Sequence, residues 1–148
     1  MSATIRELSN RIYSAWSTAN GLYSKYAQAL NIPLHELSFL AAVHLKEGQS
    51  QKEICDCYNI PKQTLNNTVK KLSAQGYIRM EVSAKDKREK VLYLTNSGKD
   101  YANQLLLPMF DIEVKVYQMV GSERLEQMVE TNEHINLLLG KMFEEKLK

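Results

Sequence analysis

The 148-residue sequence predicts a mostly α-helical chain carrying one small β-hairpin. Three observations predict it. Apolar residues recur at three- and four-residue spacing over most of the length, the pattern of amphipathic helices. Between Tyr77 and Leu94 the period drops to two, the pattern of strands. From Ser50 to Ile78 two short helices meet at a sharp turn, punctuated by Asn59 and Pro61.

The first thirty residues read as one helix, since Ile5, Leu8, Ile12, Ala15, Ala19, Leu22 and Tyr26 keep an unbroken three-four alternation, a coiled-coil-like seam. A second row, Tyr13, Trp16, Asn20 and Tyr23, runs beside it. Two adjacent stripes call for two neighbours, the helix's own domain and another chain. Asn31-Ile32-Pro33 breaks this helix, and the next runs from Leu34 to Lys46, burying Leu37, Leu40, Ala41, Val43 and His44 before Glu47-Gly48 stops it. His35, His44 and His134 form no i, i+4 pair, so no metal site is expected.

Ser50-Gln51-Lys52-Glu53 has the form of a capping box, in which serine and glutamate side chains each take a backbone N–H at a helix start. That helix ends near Tyr58-Asn59. Pro61, with its pre-set φ, opens another that runs to Gln75, where Gly76 supplies a left-handed stop. In this second helix Leu65, Val69 and Leu72 share one face. With Leu65 as zero, Gln63 lies at roughly 160°, Asn67 at roughly 200° and Lys70 at roughly 140°, all facing away from the core. Thr64 and Asn66 flank them, and Lys62 and Lys71 stand within reach of a phosphate. Amides that pair with adenine edges, set among lysines that neutralise backbone charge, are what a helix in the major groove of DNA uses.

Tyr77 to Val82 alternates, Val91 to Leu94 alternates again, and the tip between them, Ser83 to Lys90, carries Lys85, Lys87 and Arg88. Two helices followed by a hairpin with a basic loop make a winged helix-turn-helix, its second helix in the major groove and its loop on phosphates or in the minor groove. The charge distribution agrees. From Lys62 to Lys90 there are eight basic residues (Lys62, Lys70, Lys71, Arg79, Lys85, Lys87, Arg88, Lys90) and three acidic ones (Glu81, Asp86, Glu89). This segment is therefore +5 and the rest of a chain of net +2 is −3, so double-stranded DNA is the expected partner of the centre alone.

Thr95 caps a further helix bearing Tyr101, Leu105, Leu106, Met109, Ile112, Val116 and Met119, and Pro108 inside it predicts a bend or break near Leu105 to Leu107. Gly121 resets the chain and Ser122 caps the last helix, whose row is Leu125, Met128, Asn132, Ile135, Leu139 and Met142. Long terminal helices with seams that a small central domain cannot cover imply a homodimer. We expect one domain, 1–148, in which dimerisation helices (1–33 and 98–148) flank a DNA-binding region (34–97). Its 44% hydrophobic and 24% charged content is ordinary for a globular protein and gives no sign of disorder. No apolar run approaches a membrane span and no signal-peptide pattern opens the chain, so a cytoplasmic protein without a membrane partner is expected.

Asp86-Lys87-Arg88, followed by Val91-Leu92-Tyr93-Leu94-Thr95-Asn96-Ser97-Gly98, resembles the wing motif of the MarR-type transcriptional regulators, and Leu72 to Ile78 resembles that family's exit from the recognition helix. The likeness covers nearly the whole chain. It implies a homodimeric regulator, by preference a repressor, on a palindromic operator. It further implies that Arg88 enters the minor groove and that Asp86 holds the wing loop in shape. Pro61 departs from the family's more usual serine. The resemblance also implies release of DNA by a small phenolic or other apolar compound, with Tyr13, Trp16 and Tyr23 lining its pocket.

Cys55 and Cys57 keep an alternative open. Glu-Ile-Cys-Asp-Cys resembles the Cys-x-Cys of ArsR-type metalloregulators, which would make the chain a thiol-based metal- or redox-responsive regulator. Residues two apart on a helix point about 200° apart, however, and there is no third cysteine. Cys55 is expected to be buried and inert and Cys57 more exposed. No Gly-x-Ser-x-Gly, P-loop, HExxH or Gly-x-Gly-x-x-Gly motif occurs, so neither an enzyme nor a bound cofactor is expected.

Overall fold

The computed structural model describes residues 3–147. Six helices and three short strands follow in the order α1 (Ile5–Ala29), α2 (Leu34–Leu45), β1 (Gln49–Ser50), α3 (Gln51–Tyr58), α4 (Lys62–Ala74), β2 (Ile78–Val82), β3 (Lys90–Leu94), α5 (Asn96–Val120) and α6 (Ser122–Leu147). They divide into two compact units, one ending at Leu106 and the other beginning at Leu107.

In the first unit, α1 starts on a capping box. Thr4 accepts the Glu7 N–H while the Glu7 carboxylate takes the Thr4 N–H at 2.8 Å. It ends in a Schellman turn, with Asn31 left-handed (φ 57°), its N–H on the Gln28 carbonyl and the Ile32 N–H on Ala27. Near its C-terminal end Ala27 is buried and the Tyr26 hydroxyl donates to the Leu105 carbonyl at 2.9 Å, tying α1 to the first half of α5. The core consists of Phe39, Leu40, Ile54, Leu65, Leu72, Leu92 and Leu106, each fully buried and together drawn from α2, α3, α4, β3 and α5. Each such side chain contributes roughly 1.5–3 kcal/mol relative to an exposed one.

The sheet has the order β1-β3-β2, all antiparallel. Sequence periodicity shows only the hairpin; β1 is two residues long, too short to carry a period. It is fixed instead by the turn before it. Gly48 is left-handed (φ 77°) and donates to the Leu92 carbonyl, and the buried Gln49 amide donates to the Ala42 and Lys46 carbonyls, satisfying the open end of α2. The alternation read in β2 does not become a buried face. Ile78 alone is buried there, while Met80 and Val82 are exposed, because β2 is the edge strand and extends past the core. In β3, the central strand, Val91, Leu92 and Leu94 are buried.

A break at Pro108 does not occur, and α5 runs through it as one helix. The carbonyl that loses its donor to a proline lies a turn upstream, and one missing bond leaves the rest of the helical ladder in place. The last helix begins at Ser122 itself, one residue earlier than a Ser122 cap would have it. Gly121, left-handed at φ 93°, offers its carbonyl to the Leu125 N–H. No described residue of α6 is buried, and Leu137, Leu138, Leu139 and Met142 are all exposed.

Candidate nucleic-acid interface

The turn between α3 and α4 is built as its sequence requires. Ser50 accepts the Glu53 N–H, and the Glu53 carboxylate takes the Ser50 N–H at 2.7 Å, which holds that carboxyl below its usual range. Asn59 turns the chain in the left-handed region (φ 49°) and Pro61 stands as the residue before α4, not within its first turn. At the far end Gly76 (φ 78°) closes a Schellman turn, the Tyr77 N–H reaching the Leu72 carbonyl at 2.9 Å.

Leu65, Val69 and Leu72 are buried, as the spacing requires, and Thr68 joins them with its hydroxyl on the Thr64 carbonyl. The opposite face is open. Lys62, Gln63, Asn67 and Lys70 are exposed, and Thr64 and Asn66 are half-buried at its margins. The Gln63 side-chain amide donates to Asn67 Oδ1 at 3.2 Å, one helical turn away, so the two amides stand as a pair. Gln51 from the start of α3 lies across a shallow cleft from Lys62, Gln63 and Asn66.

Lys71 has a different partner from the phosphate expected for it. Its ammonium lies 2.7 Å from the Glu36 carboxylate, a group only 2% exposed in the first turn of α2. Nothing local in the sequence signals this pair, which joins residues 35 apart.

The hairpin tip is an ordered turn. Ser83 Oγ accepts the Lys85 and Asp86 N–H groups, and Asp86 accepts the Arg88 N–H at 2.9 Å. The Asp86 carboxylate also takes the Arg88 guanidinium side-on, with Nε on Oδ1 and Nη2 on Oδ2, both at 3.2 Å. This guanidinium and then the backbone bond hold the Asp86 carboxyl below its ordinary range. Arg88 nonetheless remains 91% exposed, with Lys85, also exposed, and Lys87 beside it on the loop. Arg79 on β2, counted in the basic segment but given no role by the sequence, stacks its guanidinium 4.4 Å above the Tyr93 ring and pairs with Glu81. Its signal was the two-residue spacing that puts Arg79 and Glu81 on one face of a strand.

The aromatic trio of α1 does not come together. Tyr13 and Trp16 pack edge to face at 5.9 Å, but Tyr23 lies about 15 Å further along the helix axis than Tyr13. The groove along α1 is lined instead by the seam, including Leu8, Ile12, Ala15, Ala19 and Leu22. Cys55 is half-buried and Cys57 exposed. Burial first, and then Asp56, pushes the Cys55 thiol up, against a smaller opposing pull from Lys62. Among the described residues no three His, Cys, Asp or Glu side chains gather to hold a metal, and no helix is long and apolar enough to cross a membrane.

A capped helix, a left-handed turn, a second helix with an open amide face and a basic hairpin define a winged helix-turn-helix protein. Residues 30–89 match the sequence model of the MarR family. Solved structures that the chain resembles include MarR-family regulators. One from Neisseria meningitidis shares 22% identity over 93% of this chain and 96% of that one, with a TM-score of 0.81. Another, from Silicibacter pomeroyi, shares 23% over 88% and 86%, at 0.67. Staphylococcus aureus MarR, solved with salicylate and kanamycin, shares 22% over 92% of each chain, at 0.68. No curated protein matches the chain in sequence. In sequence the match to the MarR family is confined to residues 30–89, and the chain as a whole has the MarR fold.

Proposed function

We propose that this chain is a sequence-specific DNA-binding transcriptional regulator that acts as a homodimer on a palindromic operator and represses the genes beside it. The observation that carries this reading is the exposed face of α4, where the Gln63–Asn67 amide pair stands with Lys62 and Lys70 around it. The amides read base edges in the major groove. Lys62, Lys70 and the loop residues Lys85, Lys87 and Arg88 neutralise phosphates, with Arg88 reaching the minor groove. Thr64 and Asn66, at the margin of the amide face, contact the backbone or a flanking base.

Dimerisation rests on the exposed apolar residues of α1 and α6, such as Ile12 and Leu139. A small aromatic effector relieves binding. The salicylate in the Staphylococcus aureus structure supports that class of compound, and the exposed Tyr13–Trp16 pair offers aromatic surface for it.

Selection of bound duplexes from a random pool, followed by salt titration on the selected sequence, tests the reading. An inverted repeat bound with affinity that falls as salt rises is expected. Absence of salt-dependent affinity for any duplex would overturn it.

A further inference from the structure

Glu36 is a buried carboxylate that nothing in the proposed DNA contacts uses. Three elements converge on it. From α4, Lys71 Nζ lies 2.7 Å from Oε2; from α5, the Tyr101 hydroxyl donates to Oε1 at 3.4 Å; and α2 supplies the carboxylate itself from its first turn. Tyr101 in turn stacks flat on Tyr77, with ring centroids 4.4 Å apart, and Tyr77 is the residue through which the chain leaves α4 for β2. Burial and the nearby Glu36 charge hold the Tyr101 phenol up, so it stays a donor.

We infer that Glu36 is a positioning residue for the recognition helix: by fixing Lys71 against α2 and α5 it sets the rotation at which α4 presents Gln63 and Asn67. This rests on the reading of α4 as the DNA-contacting helix. The physical reason is the cost of an unpaired buried charge. A carboxylate 2% exposed is tolerable only with its cation in place, so the Lys71 ammonium is held at Glu36 although its side chain is half exposed. Lys71 is one turn from Asn67 and two from Gln63 on the same rod, and a rotation at Lys71 is carried to both. A lysine already neutralised by a carboxylate has little charge left for a phosphate. It follows that Lys71 contributes to specificity and adds nothing to the salt dependence.

The test uses the full-length protein with Glu36→Gln, which keeps shape and the Tyr101 acceptor, with Lys71→Met, with both together, and with the conservative Lys71→Arg. Affinities are measured for a selected operator and for a random duplex over a salt series, at a temperature where all variants are folded. Hydrogen exchange is followed at the amides of α4. Glu36→Gln and Lys71→Met should each weaken operator binding on the order of tenfold. Random-duplex affinity should stay at the parent's value in Lys71→Met, with the salt slope no shallower, and should be no weaker than the parent's in Glu36→Gln, where the lysine charge is released. The double variant should fall no further than either single one, Lys71→Arg should bind nearly as the parent does, and α4 should exchange faster in Glu36→Gln. The inference is overturned if Lys71→Met weakens both duplexes alike and cuts the slope by about one, since that marks a phosphate contact. Parent-like operator binding by Glu36→Gln overturns it equally. A parent protein that binds no duplex overturns the DNA-binding reading and this inference with it, and is told apart because it fails before any substitution is made.

Discussion

Gly98 opens α5 with the Tyr77 carbonyl oxygen standing where a Cβ would be. That oxygen cannot yield, because it accepts the Thr95 N–H at 3.0 Å, and Thr95 is itself fixed by a hydroxyl bond to the Gly76 carbonyl at 2.6 Å. The joint seats the wing's last strand and α5 on the end of α4. Gly98→Ala should therefore destabilise the fold by about 1–3 kcal/mol, even though alanine favours a helix. Gly21→Ala, where an added Cβ meets nothing within 4 Å, should stabilise it by up to about 1 kcal/mol. Urea midpoints of the two variants check both signs.

The parts that local chemistry dictates were legible before any coordinates. The Ser50 capping box, the Leu65-Val69-Leu72 stripe and the left-handed Gly76 are set by residues a few positions apart, and each stands as its spacing requires. What was not legible depends on distant partners. The Glu36–Lys71 pair spans 35 residues, and the exposure of Met80 and Val82 follows from β2 lying at the sheet edge. Of the bend or break that Pro108 predicts, the break does not occur, because one lost helical bond leaves the rest of the ladder in place. Of the interface, residue types and faces could be read; that Gln63 and Asn67 bond each other, or that Arg88 lies side-on to Asp86, needed the structure.

Sedimentation of the unaltered chain should give a dimer at micromolar concentration. Ile12 and Leu139 are more than a third exposed, at 38% and 39%, and apolar surface of that kind along two long helices calls for a cover. Ile12→Glu with Leu139→Glu should yield monomer or insoluble protein. A folded monomer of the parent would contradict the dimer.

Alkylation should distinguish the two thiols. Cys57 is exposed, whereas Cys55 is half-buried with its thiol pushed up, so one fast modification at Cys57 and a slow one at Cys55 are expected by mass spectrometry. The Cys55→Ala, Cys57→Ser variant should bind its operator as the parent does. Loss in that variant of a response to arsenite, cadmium or peroxide that the parent shows would favour thiol sensing.

Acid should loosen the wing tip only below the ordinary carboxylate range. The Asp86 pKa is lowered in the folded chain by Arg88, so the carboxylate's grip is present above the unfolded pKa and lost as pH falls through the depressed folded one. The Arg88 amide resonance, bonded to Asp86 at 2.9 Å, should report the change. Asp86→Asn should remove the pH dependence of that resonance.

The central claim is that α4 reads sequence while the wing supplies charge, and Asn67→Ala beside Lys87→Ala tests it most directly, by salt titrations on a selected operator and a random duplex. Asn67→Ala should lower operator affinity by about 1–3 kcal/mol and leave random-duplex binding nearly intact. Lys87→Ala should weaken both duplexes and reduce the salt slope by about one. Equal losses on operator and random DNA for Asn67→Ala would contradict the role given to α4.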